Sequence, residues 1–315
     1  MNMSKYFLYY AGLNAADGIE QIGVAVSDDL RTWTRPHQKP IIPLGSAGEV
    51  DVLQTSNPCV LMRDGLFRMW YQGRGRDGRL NICYAESSDG LTWRARKGAV
   101  LAPPLQTSGY RAGYQQPHVL FDQELRIYRM WFTSQDGARS HISYAESSDG
   151  LTWGDVTEGV VRPEVEWEGQ LLYYPFVTRS ETGFELLYTA RSKGKIWMLG
   201  HASSIDGITW NKDNDNPVLP KKTSPGLVRV LSRYVKGIAP RSLRSVYGSG
   251  SPFTIVIDGT EHLFTHDSGA GYRLSISHYT RGENGGWLPL EYGVLELGAS
   301  DWDRYFQADP FIVQV

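Results

Sequence analysis

The chain has 315 residues, 41% hydrophobic and 12% aromatic, and a formal net charge of −2 at pH 7. The apolar share is enough for a sizeable core, and the near-neutral balance predicts no preference for nucleic acid or a membrane surface. No run reaches transmembrane length, and the two cysteines, with no cysteine–histidine cluster beside them, carry no zinc signature and read as reduced core thiols.

The chain opens on an aromatic strand, Tyr6-Phe-Leu-Tyr-Tyr10. This segment matches strands further along and no small-residue cleavage pattern follows it, so it reads as structure rather than as a secretory leader, and a cytoplasmic location is expected. A turn signal follows, ending at Trp33 (Ala25-Val-Ser-Asp-Asp-Leu-Arg-Thr-Trp33). Its fuller form, Tyr-Ala-Glu-Ser-Ser-Asp-Gly-Leu-Thr-Trp, occurs identically at Tyr84–Trp93 and Tyr144–Trp153, 60 residues apart, and loosely once more ending at Trp210. A period of this size marks an array of similar units. Asp-Gly is a hairpin signal because glycine accepts positive φ cheaply. The tryptophan at fixed offset suits burial between neighbouring sheets. The string is therefore a folding element rather than a site.

Five short apolar strands begin on proline: Pro58-Cys-Val-Leu, Pro117-His-Val-Leu, Pro175-Phe-Val, Pro252-Phe-Thr-Ile-Val and Pro310-Phe-Ile-Val, at spacings of 59, 58, 77 and 58. A sheet tolerates proline at the first residue of a strand. An aromatic-rich strand follows the first four, as in Phe67-Arg-Met-Trp-Tyr71 and Tyr128-Arg-Met-Trp-Phe132. Four strands in meander order are one propeller blade. Because the chain begins on an aromatic strand and ends on an orphan proline strand, joining the ends completes one more unit and leaves no open edge. The expected fold is all-β: one domain over residues 1–315, a five-bladed β-propeller with four antiparallel strands per blade, the first blade closed by the C-terminal strand.

The 77-residue spacing contains an insertion at about 216–250, between blades four and five. No acidic residue lies between Asn216 and Ile257, whereas Lys221, Lys222, Arg229, Arg233, Lys236, Arg241 and Arg244 do. A solvated basic loop and a lid over an anionic substrate group explain this equally well.

In such a blade the proline strand is innermost. Its start, the incoming loop and the second-to-third strand loop share one face. The residue before each proline, expected to be extended, then sits at the channel mouth: Asn57, Gln116, Tyr174, Ser251 and Asp309. Asp309 is the single carboxylate among them. Asp51, Glu168 and Asp303 each lie seven residues before a proline and bring three more carboxylates to that face. Since they repeat, the plain reading of any one is a structural brace. The strand-end loops add Arg74, Arg76, Asp77, Gln135, Asp136, Arg191, His266 and Asp267. An adjacent His-Asp pair at a channel mouth is a modest functional signal. Substrate contacts are expected from Asn57, Gln116, Tyr174, Ser251, Arg74, Arg191, His266, Asp267 and Asp303.

The five units, the Asp-Pro of the blade closed by the termini and the Ser-x-Asp-Gly-x-Thr-Trp hairpins resemble the furanosidase superfamily. This group holds the arabinanases and xylosidases of glycoside hydrolase family 43, the invertase and levansucrase families (32 and 68) and the mannoside phosphorylases of family 130. The resemblance covers essentially the whole chain and is specific for the fold more than for the activity. It implies that Asp309 is the general base. The modulator that family 43 places before the third-blade proline is Gln116 here, and its general acid, two residues before the fourth-blade proline, is Tyr173. An invertase-type Asn-Asp-Pro-Asn is absent too, since Asp309 lies between Ala308 and Pro310-Phe311. Sialidases also end a blade hairpin on tryptophan, but they have six blades and an arginine triad.

Glycoside cleavage needs a carboxylic acid of raised pKa to protonate the leaving oxygen and a carboxylate on the opposite side of the sugar. Asp309 with Glu168 in place of the missing acid, and Asp51 or Asp303 as a tuning neighbour, is the catalytic set expected. The expected function is a glycoside hydrolase-like enzyme acting on a small intracellular furanoside or related glycoside. The alternatives are a repurposed pathway enzyme, transferring or phosphorolysing an anionic sugar, and a non-catalytic sugar-binding propeller. No cofactor is expected, although the resemblance allows a calcium or sodium ion in the channel; His118 is no evidence for one. The expected partner is a small carbohydrate, with no nucleic acid and no membrane. Oligomeric state is not legible.

Overall fold

The computed structural model describes residues 5–13, 18–104, 112–136, 138–193, 196–219, 248–268, 274–295, 301–304 and 306–315. Among these the regular structure is β-strand, with 3-10 turns at Glu166–Glu168 and Asp301–Asp303. The first group holds β1 (Tyr6–Leu13) and β2 (Glu20–Ser27). The second runs β3 (Gln54–Arg63), β4 (Leu66–Arg74), β5 (Leu80–Ser87) and β6 (Arg94–Ala95). The third runs β7 (Gly113–Asp122), β8 (Ile127–Gln135), β9 (Ser140–Ser147) and β10 (Thr157–Val161). Next come β11 (Leu172–Ser180), β12 (Gly183–Arg191), β13 (Trp197–Ser204) and β14 (Asn211–Lys212). The last full group is β15 (Gly248–Ile257), β16 (Thr260–Ser268), β17 (Leu274–Arg281) and β18 (Trp287–Tyr292). The final strand, β19 (Phe306–Gln314), returns to pair antiparallel with β1, from Tyr6 opposite Gln314 to Leu13 opposite Phe306. Each group is an antiparallel meander, and one parallel bridge, Leu80 to Gly113, links the second group to the third.

The repeated hairpins fold for local reasons. In one copy the Asp149 carboxylate accepts the amides of Leu151 and Thr152 at 2.8 and 2.7 Å, while Ser147 Oγ accepts from Gly150 N at 2.8 Å. Asp29, Asp89 and Asp206 do the same in theirs. These bonds favour the charged carboxylate, and the amides of Thr209 and Ile208 hold Asp206 down to about 2. The turn carbonyl then clasps the preceding group. Gly90 O accepts from Tyr9 Oη, Gly150 O from Trp70 Nε1 and Gly207 O from Trp131 Nε1, at 2.9, 2.8 and 2.7 Å. The repeat thus serves packing, as its glycines and aromatics predict.

The core lies between neighbouring groups. Tyr9, Ile22, Val60 and Met69 join the first to the second, and Trp70, Ile82, Val119 and Phe132 the second to the third. Ile142, Leu172, Leu186 and Tyr188 join the third to the fourth, and Leu199, Leu263 and Tyr279 the fourth to the last. Leu8, Tyr10, Phe264, Ile276 and Ile312 connect the last group back to the first. Cys59 and Cys83 are free and buried, and burial pushes the Cys59 thiol up to about 12. Most of the basic insertion, Lys221 to Arg244 included, lies outside the described residues.

Candidate active site

Two expectations about the proline strands are corrected. The prolines do not open their strands: Pro58, Pro117, Pro252 and Pro310 are each the fifth residue of a strand, and Pro175 is the fourth. The residue before each is not extended but left-handed, with φ of 52° at Asn57, 55° at Gln116, 53° at Tyr174, 49° at Ser251 and 56° at Asp309. Register explains both. Ser56 faces Gln72 and Cys59 faces Trp70, so Asn57-Pro58 together oppose Tyr71 alone. The same bulge leaves Gln116-Pro117 opposite Phe132, Tyr174-Pro175 opposite Tyr188, Ser251-Pro252 opposite Thr265 and Asp309-Pro310 opposite Tyr10. A bulge is a place where proline's missing N–H costs no ladder bond. The left-handed residue absorbs the extra length and aims its side chain out of the pleat.

The five residue–proline pairs, with His118, Phe176 and Phe311, line one cavity. A second, lined by Glu20, Gln54, Gln72, Leu80 and Gln115, shares Asn57, Gln116 and Tyr174 with it. Four of the residues following the prolines, His118, Phe176, Phe253 and Phe311, pack into an aromatic cluster, and three of them, His118, Phe176 and Phe311, line the cavity. Ring centroids are 4.8 Å apart for His118–Phe176, 5.0 Å for Phe176–Phe253 and 4.9 Å for Phe253–Phe311. Burial pushes His118 down to about 4, so its ring is neutral, and its Nε2 donates to Val177 O at 2.8 Å.

Asp309 is 6% exposed and held at both oxygens. His266 Nδ1 donates to Oδ1 at 3.2 Å, and Asn57 Nδ2 donates to Oδ2. The buried His266 ring stands edge-on to Tyr174, with centroids 5.2 Å apart. Gly250 makes room for it, since a Cβ there would lie 2.5 Å from His266 Nε2. Gln116 Oε1 accepts from Thr133 Oγ1 at 2.9 Å and Tyr174 N at 3.1 Å. Ser251 N donates to Thr189 Oγ1 at 3.0 Å. The structure therefore brings Asn57, Gln116, Tyr174, Ser251, Asp309 and His266 together.

Sequence reasoning missed Glu20. It opens β2, lines the second cavity and accepts from Gln54 Nε2 at 2.5 Å. The corresponding openings of β5, β9, β13 and β17 are Leu80, Ser140, Trp197 and Leu274. A carboxylate there was the signal to follow.

The other expected carboxylates are each tied by hydrogen bonds within the protein. Asp51 accepts from Tyr71 Oη at 2.8 Å, and Asp303 from Tyr10 Oη and Arg35 Nε, both at 2.9 Å. Fully buried Glu168 accepts from Tyr188 Oη at 2.7 Å, Lys212 Nζ at 2.9 Å, and the amides of Glu164 and Val165 at 2.7 and 3.3 Å. Lys212 is on the outermost strand of its sheet, and Glu168 lines neither cavity. Glu168 and Asp51, expected as catalytic carboxylates, and Asp303, expected as a substrate contact, thus share a repeated phenol–carboxylate tie. Asp267, likewise expected to touch substrate, accepts from Thr265 Oγ1 and Tyr279 Oη at 2.8 and 2.6 Å. Burial first, then the neighbouring carboxylates, hold the Tyr10, Tyr188 and Tyr279 phenols protonated. Burial likewise raises the Asp51 carboxyl above its usual range. Arg74 and Arg191 end β4 and β12, and the Arg191 guanidinium carbon lies 5.2 Å from the Trp197 ring centroid.

No protein-family model matches the chain. An uncharacterized protein of Mycobacterium tuberculosis is 32% identical over 200 residues, which are 60% of this chain and 64% of that protein. The chain thus spans just under two thirds of the curated relatives it matches. Among solved structures, a thermostable family-43 glycoside hydrolase has a TM-score of 0.63 at 20% identity, over 95% of this chain and 93% of that one. An exo-1,5-α-L-arabinanase from a bovine ruminal metagenomic library has 0.60 at 15%, over 92% and 95%. The β-1,2-mannobiose phosphorylase of Listeria innocua has 0.59 at 15%, over 82% and 66%. At these identities the likeness shows the fold: an all-β, propeller-type architecture. No helix among the described residues is long and apolar enough to cross a membrane.

Proposed function

We propose that the five strand groups are five blades about one axis, with β19 closing the first, and that the chain is a glycosidase-like enzyme centred on Asp309. The observation that carries this reading is Asp309 itself. It is the ring's single carboxylate, held in a left-handed bulge, with Asn57 and His266 fixing its two oxygens beside a cavity. The cores shared between successive groups, returning from the last to the first, support the ring.

In this mechanism Asp309 is the general base. It takes a proton from water as the water oxygen attacks the anomeric carbon, and the glycosidic bond breaks. The leaving oxygen needs a proton, which Glu20, entering in its carboxylic acid form, supplies. An inverting pair stands ~6.5–9.5 Å apart to admit the water. Asn57, Gln116 and Tyr174, common to both cavities, orient the sugar between the two carboxyls. The substrate is a small glycoside, packed against the His118, Phe176 and Phe311 rings of the cavity lining.

The test is release of 4-nitrophenol from a panel of aryl furanosides and pyranosides, with and without phosphate, by wild type, Asp309→Asn and Glu20→Gln. Turnover lost in Asp309→Asn, and restored on activated leaving groups in Glu20→Gln, supports the roles given. A phosphate requirement would make the reaction phosphorolysis at the same site. Full activity of Asp309→Asn refutes the reading, and tight sugar binding without turnover in wild type would make the chain a binding propeller.

A further inference from the structure

Several ionised groups of the fourth sheet are paired within the protein. Glu168 is tied by Tyr188 and Lys212, and His201 lies 3.0 Å from Glu185 and 2.7 Å from Asp213. Arg179 pairs with Asp122 at 2.7 Å. Arg191 has no such carboxylate among the described residues, and its Nε is sealed from water without a hydrogen-bond partner there.

Its placement is firm. Arg191 N donates to Leu171 O at 3.0 Å, and a parallel bridge ties Arg191 to Gly169. Trp197 is its register partner across β13, which brings the guanidinium over the indole. Thr189, two residues back and so on the same face of β12, accepts from Ser251 of the ring. The Trp197 ring lies 6.4 Å from Tyr174, which lines both cavities. A chain of ring contacts therefore runs from Tyr174 of the cavity lining through Trp197 to Arg191.

A guanidinium is weakly hydrated and planar, and an aromatic face under it fixes that plane. Its N–H edge then suits two oxygens of one carboxylate or phosphate. A half-buried cation without a protein anion is best compensated by an anion on the ligand. We propose that Arg191, laid over Trp197, is an outer subsite of the Asp309 cavity and takes an oxyanion carried by the substrate. This rests on the reading of that cavity as the sugar site and names its substrate class, an acidic glycoside.

The test measures binding, not turnover. Wild type, Arg191→Gln, Arg191→Lys and Asp309→Asn are titrated calorimetrically with glucuronic acid, glucose and inorganic phosphate. Arg76→Gln, which removes an exposed arginine of the same face, controls for net charge. The expected result is about tenfold or tighter binding of glucuronic acid over glucose in wild type, Asp309→Asn and Arg76→Gln, lost in Arg191→Gln and partly kept in Arg191→Lys. Phosphate binding tighter than glucuronic acid, and equally dependent on Arg191, assigns a phosphoryl rather than a carboxylate group. An acid-to-neutral ratio near one in wild type, or the same ratio in Arg191→Gln as in wild type, overturns the subsite. Because Asp309→Asn is read by binding, failure of the glycosidase reading and failure of the anion subsite give different results.

Discussion

Removing the Glu168 carboxylate separates a brace from a catalytic acid. Four donors converge on it: Tyr188 Oη, Lys212 Nζ and the amides of Glu164 and Val165. Glu168→Ala leaves all four facing a void, and removal of one partner of a buried ion pair costs about 3–5 kcal/mol. Glu168→Gln costs less, about 1–2 kcal/mol. A flipped amide can still accept the two backbone amides and Lys212 while donating to Tyr188, and only the charge is lost. Unfolding entropy near 2.1 cal/mol/K per residue over 315 residues is about 0.7 kcal/mol/K, so each kcal/mol moves Tm by roughly 1.5 °C. Differential scanning calorimetry should therefore find Glu168→Ala lowered by about 5–7 °C and Glu168→Gln by about 2–3 °C. Sugar binding and turnover per folded molecule, measured well below both transitions, should match wild type. A Glu168→Gln protein with unchanged Tm and turnover reduced a hundredfold would refute the brace and return Glu168 to the catalytic pair.

Gly150 carries φ of 76°, and a Cβ there would lie 2.9 Å from Trp70 Cζ2, whereas at Gly65, φ of 72°, it would meet nothing within 4 Å. Gly150→Ala should destabilise more than Gly65→Ala, by an added 1–3 kcal/mol or so of overpacking; equal losses in denaturant titration would mean that the turn does not clasp Trp70. Glu158 offers a pH test. Burial raises its carboxyl, but bonds from His141, Ser143, Ser134 and Tyr114 outweigh it and bring it from 4.5 to about 2. A depressed folded pKa contributes stability above 4.5 that is lost as pH falls toward about 2. The stability gap between wild type and Glu158→Gln should close over that window, and a gap constant across it would remove the linkage.

The repeat and the return of β19 to β1 were legible because each rests on residues with strong local meaning: Asp-Gly turns, fixed tryptophans and an unpaired strand at each end. What was not legible was the path of the chain through each proline. Preceding residues are ordinarily driven to extended geometry, and only the two-against-one register with the neighbouring strand overrides that. The phenol–carboxylate ties were within reach. Seven residues before the proline stand Asp51, Glu168 and Asp303, and the strand positions opposite those bulges are Tyr71, Tyr188 and Tyr10; where Tyr110 takes the carboxylate's place, the opposite residue is Phe132. A phenol appears where a carboxylate needs a donor and is missing where none does. Glu20 was hidden for another reason: β2 has no aromatic that would match it to β5 or β9, which hold Tyr84 and Tyr144.

The five left-handed positions also show that the backbone does not require aspartate at 309. Gln116, Tyr174 and Ser251 hold the same conformation as Asn57 and Asp309, although asparagine and aspartate are the residues that favour it. The bulge is thus imposed by proline and register, and it tolerates side chains with no preference for the left-handed region. Asparagine at 309 would suit the backbone as well as aspartate does. Its oxygen could accept from His266, and a flipped Asn57 could present its own oxygen to the new amide. Asp309→Asn should then shift Tm by no more than about 1.5 °C, corresponding to under about 1 kcal/mol, while removing the only ring charge. A fall beyond about 5 °C would mean that the carboxylate clamps β19 to β3, and the ground for placing the chemistry there would be gone.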